Sequence, residues 1–287
     1  MNVSLVLGQV LNGVVTGMLY ALMGVGLSLI LGILNLPNFA HGTLYAVGAY
    51  LLFACVQWFQ SFWLALVVAP LGVALLGAAI EYGGMRRIYA AGHDYQLLLT
   101  FGLALILEQV IILVWGPIGM SLLPPRALGG AMDLGVTFYP RYRLFVMVAA
   151  GLLILGVWLF LERTRLGAII RAGIEDKDMV AVLGINVNRV FTFTFALGAW
   201  LAGMAGALMV PVRGLTPTMG ADILGIAFVV VALGGLGNLP GAMLAGIIIG
   251  LAQSLVALVW PVASIVVIFA VMAAVLLVRP QGLFGTR

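Results

Sequence analysis

Long apolar runs, interrupted at only a few places, dominate this chain. They cover approximately Val6–Ile33, Thr43–Trp58, Phe62–Gly83, Gln96–Trp115, Leu144–Leu161, Val190–Val210, Gly241–Trp260 and Val262–Val278. They lack the strict alternation of a lipid-facing barrel strand and are too long for one. Most approach the roughly 20 apolar residues that an α-helix needs to cross a hydrocarbon core of about 30 Å. A further run, Asp222–Gly235, is too short for an untilted span. The pattern predicts an all-α, polytopic membrane helix bundle of about 8–9 transmembrane helices. It forms a single transmembrane domain over residues 1–287.

The first interruption is Asn35-Leu36-Pro37-Asn38-Phe39-Ala40-His41-Gly42, and a second Asn-Leu-Pro stands at Asn238-Leu239-Pro240. Proline removes a backbone donor and frees a carbonyl, which in lipid must be satisfied by protein or by water in a cavity. Paired interruptions in two repeats can frame a transporter's pathway through discontinuous helices. Asn35, Pro37, Asn38, His41, Asn238 and Pro240 are therefore candidates for lining a path, and capping is the simpler role for each. Glu108 falls near the middle of its run and is a further candidate. A charge there costs at least about 2.5–3.5 kcal/mol, so it should face the bundle interior, a cavity or a partner.

Small residues recur every four positions at Gly13, Gly17 and Ala21, at Gly198, Ala202 and Gly206, and at Ala242, Gly246 and Gly250. Such stripes let helix backbones approach closely in lipid. The Pro- and Gly-rich stretch Gly116–Tyr142 is too polar to cross and reads as an external loop with short structure of its own. The most charged stretch is about 162–190, which holds Arg163, Arg165, Arg171, Lys177 and Arg189. Within it Glu175, Asp176 and Asp178 precede Met179, Val180, Ala181, Val182, Leu183 and Gly184. Acids suit a helix start and glycine the residue after its end, so a short amphipathic helix is expected over Glu175–Leu183. It is either a connector lying on the headgroups or a docking helix for a soluble partner. Basic segments mark the cytoplasmic side, which places the N-terminus outside and the C-terminus inside.

Composition agrees with lipid as the solvent. Of 287 residues, 64% are hydrophobic and 8% charged, and mean hydropathy is +1.24. The net charge of +4 reflects basic loops rather than a nucleic-acid surface. Residues 1–12 contain no Lys or Arg, so no cleavable signal is expected. Cys55 stands alone in an apolar run, which excludes an intrachain disulfide framework. The single lysine, Lys177, is not preceded by a glycine-rich turn, so the chain has no phosphate-binding loop and is expected to bind no cofactor. His41 and His93 are isolated, which gives no metal-ligand spacing, and no catalytic constellation can be argued from spacing.

Three segments resemble a known family. They are Gly32–Gly42 followed by Tyr45–Tyr50, then Arg171–Asn186, then Leu276–Gly285. Together they are similar to the inner-membrane permeases of branched-chain amino acid ABC importers, the LivH type. The resemblance covers essentially the whole chain. It implies an inner-membrane complex with a second permease, LivM-like or a copy of this chain, two cytoplasmic ATPase subunits and a periplasmic substrate-binding protein. ATP and Mg would bind in the ATPase subunits, so this chain would be no enzyme. In that family the segment corresponding to 171–186 contacts an ATPase. That implies a coupling role for Arg171, Glu175, Asp176, Asp178, Ala181, Leu183 and Gly184. A rival reading of the composition is a stand-alone secondary transporter or channel for a small polar solute.

Overall fold

A computed structural model describes residues 3–34, 37–89, 91–135 and 137–284, without the side chains of Ile33, His93 and Lys177. Helix α1 (Val3–Leu34) runs through the centre of the bundle. Around it lie α2 (Ala40–Phe59), α3 (Phe62–Ile80) and α5 (His93–Trp115). A π-helical turn, Glu81–Met85, and the short α4 (Arg86–Ile88) extend α3. After α6 (Arg141–Arg163) come the surface helices α7 (Arg165–Glu175) and α8 (Lys177–Val182). The chain returns through α9 (Val187–Arg213), α10 (Met219–Gly234), α11 (Leu239–Val259) and α12 (Ala263–Val278). Among the described residues, seven helices are long and apolar enough to cross a membrane, and α10 and α12 are shorter apolar helices.

The small-residue stripes are where backbones meet. A Cβ on Gly17 would lie 2.8 Å from Ile247 Cα, and one on Gly246 would lie 2.4 Å from the Ala21 nitrogen. This joins α1 to α11. A Cβ on Gly198 would lie 2.8 Å from the Gly26 carbonyl, and one on Gly206 would lie 2.0 Å from the Tyr45 carbonyl. So α9 is pressed against α1 on one side and α2 on the other. Dispersion and close backbone approach replace the hydrophobic drive that lipid cannot supply between helices.

The segment 116–142 carries structure of its own, a two-stranded hairpin of β1 (Ala131–Asp133) and β2 (Phe138–Pro140). Met120 pairs with Leu215 and fastens this loop to the end of α9. At the opposite end of the bundle the basic segments gather. Arg86 donates to the Asn188 carbonyl at 3.1 Å, Ile174 lies against Gly32, and the tail residue Leu283 donates to the Leu233 carbonyl. The common siding of Arg86, the 162–190 stretch and the tail, expected from charge, is thus met in the geometry.

One local expectation is corrected. The stretch Glu175–Leu183 is not one helix. Glu175 ends α7, Asp176 is extended at φ −151°, and α8 covers Lys177–Val182. The reason is the Asp176 carboxylate, which accepts from the Asp178 and Met179 amides at 2.9 Å each and so starts a new helix. The apolar positions Leu166, Ile169 and Ile170 put α7 itself, rather than a loop, in front of it. Gly184 follows α8 at φ +80°, the left-handed conformation glycine adopts without strain.

Candidate functional site

The interior of the bundle is reached at the start of α2. Asn38 and His41 are buried, at 1% and 0% exposure, although both lie only a few residues beyond the end of α1. The chain therefore turns back into the protein before α2 begins. His41 Nε2 lies 3.2 Å from the carbonyl of Met23, three turns before the end of α1. Asn38 Oδ1 accepts from the Ala40 amide at 3.1 Å. The Asn38 Nδ2 and His41 Nδ1 atoms find no partner in the protein among the described residues. Buried polar groups left open in this way need water or a solute to complete them.

The start of α2 is closed against α10. A Cβ on Gly42 would lie 2.2 Å from the Gly220 carbonyl, so only glycine allows this approach. Phe39 sits edge-on to Phe228 and Phe101, with ring centroids 5.7 and 6.3 Å away. On the Arg213 side of this closure lies a cavity of about 170 Å³ lined by α2, α9 and α10. Arg213 also lines a neighbouring cavity of about 220 Å³ together with Arg143, Gln9, Asn12 and Gln253.

The second Asn-Leu-Pro has a different place. Asn238 caps α11: its Oδ1 accepts from the Gly241 amide at 2.8 Å and its Nδ2 donates to the Phe284 carbonyl at 2.7 Å. Pro240 is exposed in the first turn, where a missing N–H costs nothing. Asn238 and Pro240 thus stand at the end of the bundle with the tail, where Gly237 lies against Gly32 just before the first break, and Asn238 shares no hydrogen bond with Asn38 or His41 among the described residues. Pro37 is half-buried at the first break, while Asn35 and Leu36 lie outside the described residues. Replacing Asn238 by Ala is expected to cost about 1 kcal/mol. A thermal melt in detergent checks this, and an unchanged midpoint would refute the cap.

Glu108 is half-buried on the flank of α5, and Gln109 is exposed. Among the described residues Glu108 has no ion pair, and it stands one turn beyond Ala104, whose carbonyl accepts from the Thr43 hydroxyl near the start of α2 at 3.5 Å. The deeply buried carboxylate is instead Glu81, at 0% exposure in the π turn, which sequence reasoning missed. Arg86 is 3.3 Å from it, Tyr89 donates to it at 3.0 Å, and Thr192 of α9 donates to it as well. Burial, then the Glu81 charge, pushes the Tyr89 phenol up. The available signal was an acid followed five residues later by an arginine at a span's end.

At the same end, α7 and α8 form a fixed platform. The Thr164 hydroxyl accepts from the Gly167 amide and starts α7. Arg171 donates to the Leu161 carbonyl and lies 3.7 Å from Glu162, which ties α7 to α6. Val180 is buried and anchors α8. Met179, Val182 and Leu183 face outward at 57%, 82% and 71% exposure, and Glu175, Asp176, Asp178, Ala181 and Gly184 are exposed beside them.

Residues 9–276 match the family model described as branched-chain amino acid transport system / permease component. The chain belongs to this family. The permease is 31% identical to the high-affinity branched-chain amino acid transport system permease protein BraD of Pseudomonas aeruginosa, over 97% of this chain and 95% of that one. It is 31% identical to LivH of Escherichia coli K12 with the same coverage. It is also 28% identical to LivM of that organism, over 93% of this chain and 68% of LivM. Among solved structures, PsaBC from Streptococcus pneumoniae in complex with Fab has a TM-score of 0.49 at 13% identity, covering 95% of this chain and 89% of that chain.

Proposed function

We propose that this permease carries branched-chain or related amino acids across the inner membrane as part of an ATP-driven importer. Its partners are a second permease, LivM-like or a copy of itself, two cytoplasmic ATPases that bind ATP and Mg, and a periplasmic binding protein. The α7–α8 end is then cytoplasmic, with the C-terminus, and the hairpin end faces the periplasm. The observation that carries this reading is the exposed apolar face of α8 on a platform fastened to α6. An apolar helix face displayed beside acids fits a groove on a soluble partner. Movement of that platform would reach α1, because Ile174 of α7 lies against Gly32. The start of α2, with Asn38 and His41, would line the path that this motion opens, and the Gly42–Gly220 closure would be its shut state.

The test is coupling. Ala181 is exposed, so Ala181→Glu leaves the bundle intact and places a charge in the docking face. Gly184→Pro removes the φ of +80° that ends α8. Loss of one well-packed interface contact costs about 2 kcal/mol, so uptake by either variant should fall at least about tenfold while ATP hydrolysis persists. Wild-type uptake in both variants would count against the docking role.

A further inference from the structure

We infer that the cavity between α2, α9 and α10 is a binding subsite for a zwitterionic amino acid with an aliphatic side chain. It rests on the transport reading above and adds which groups of this chain select the solute. The cavity, about 170 Å³, has two chemically distinct parts. Its exposed rim carries Arg213, the last residue of α9, and Asp222, in the first turn of α10. Its buried floor is Tyr45, Met209, Met219 and Ile223, each 9% exposed or less.

Arg213 and Asp222 line one cavity without closing on each other. The ion pairs among the described residues are Arg86–Glu81 and Arg171–Glu162. Arg213 borders the Tyr20 hydroxyl, but neither it nor Asp222 has an oppositely charged partner among the described residues, so one positive and one negative charge remain for a ligand to neutralise. A guanidinium accepts a carboxylate in a two-pronged geometry, and a carboxylate accepts from an ammonium. An α-amino acid presents those two groups on a single carbon, with its side chain pointing away from both. With the carboxylate at Arg213 and the ammonium at Asp222, the side chain drops onto the sulfur- and methyl-rich floor. Methionine adapts to branched chains of slightly different shape. A solute with one charge leaves Arg213 or Asp222 uncompensated and a neutral one leaves both, which separates amino acids from organic acids and from simple amides. The cavity also ends at the right place. Tyr45 is one turn beyond Gly42, and Met219 precedes Gly220, so the floor lies directly on the Gly42–Gly220 closure.

The experiment uses the complete complex with its ATPases and binding protein in lipid vesicles. Diazirine-bearing photo-leucine is crosslinked to it, and the labelled peptides are mapped. Label is expected on the segments holding Met209 and Met219–Ile223. Leucine should compete it away. Isopentylamine, which lacks the carboxylate, and 4-methylpentanoate, which lacks the amine, should not. Each variant removes one charge-assisted contact, so Arg213→Gln and Asp222→Asn should each lower that labelling about tenfold or more. ATP hydrolysis by the variant complexes, measured in parallel, should persist and so exclude misfolding. Unchanged labelling in both variants overturns the subsite, as does equal competition by the two one-charge analogues. Leucine accumulating in wild-type vesicles without label on these segments also overturns it while sparing the transport reading. If wild-type vesicles accumulate no branched-chain amino acid, that reading fails and the subsite falls with it.

Discussion

Replacing Glu81 by alanine should lower the stability of the permease by about 3 kcal/mol, the low end of the cost of stranding one member of a buried ion pair, because the Arg86 left behind is 27% exposed. Glu81 is fully buried and serves three partners from two elements, Arg86 and Tyr89 beyond the π turn and Thr192 on α9. Its loss leaves the Arg86 guanidinium with the Asn188 carbonyl and the Thr192 hydroxyl but no counter-charge. A thermal melt of purified protein in detergent measures the effect. Adding Arg86→Leu to Glu81→Ala should restore part of the loss, since the stranded charge is then gone. A double variant no more stable than the single one would show that the ion pair is not the source. The π turn matters here because its wider winding is what sets Glu81 and Arg86 on α9 together; such turns often sit where a helix must bend or move. This contact joins α3 to α9 at the end that carries α7 and α8, so Glu81→Gln is the gentler variant for separating stability from coupling.

Gly206→Val is the second large effect. The added Cβ alone would lie 2.0 Å from the Tyr45 carbonyl and 3.3 Å from the Ala49 nitrogen, both backbone atoms of α2. Backbone cannot rotate away as a side chain can, so α2 and α9 must separate. Overpacking of this kind costs about 1–3 kcal/mol, and here the whole of α2 with Asn38 and His41 is displaced. Both a lower melting midpoint and weaker uptake are expected. Gly102→Ala on α5 is the control. Nothing lies within 4 Å of a Cβ there, and alanine favours a helix over glycine by about 1 kcal/mol. If Gly206→Val melts with the wild type, the α2–α9 contact is looser than its geometry implies.

The helices themselves were legible along the chain. The apolar runs correspond to nine apolar helices among the described residues, several of which extend a few residues beyond the run at one end or both. The overshoot arises because polar and charged residues such as Arg141, Arg163 and Arg213 still belong to the helix once it leaves the hydrocarbon. The small-residue stripes were also legible, though not their partners. Spacing says that Gly13, Gly17 and Ala21 share a face; that this face meets α11 rather than α9 depends on where the chain returns.

The two Asn-Leu-Pro breaks show the limit most clearly. As sequence they are alike. In the fold Asn238 caps a helix at the bundle's end, while the residues after Asn35-Leu36-Pro37 start a helix inside it. A local motif fixes that a helix must stop, because proline withholds its N–H, but depth is a property of the neighbours. Glu81 and Glu108 make the same point with the opposite sign. Hydropathy singled out Glu108, in mid-span, yet burial and hydrogen bonds belong to Glu81, whose partners Arg86, Tyr89 and Thr192 are assembled by a π turn and a distant helix.

The sequence by itself determined the solvent, the helical class, the approximate spans, the siding of the basic segments and the family. Each of these depends on composition or on residues near one another along the chain. The tertiary structure decided which buried acid is partnered, which break enters the interior, and that Arg213 and Asp222 share a cavity with Tyr45, Met209, Met219 and Ile223. Those features join residues from three helices, and long-range juxtaposition is set by the packing of helix faces, which no local pattern encodes.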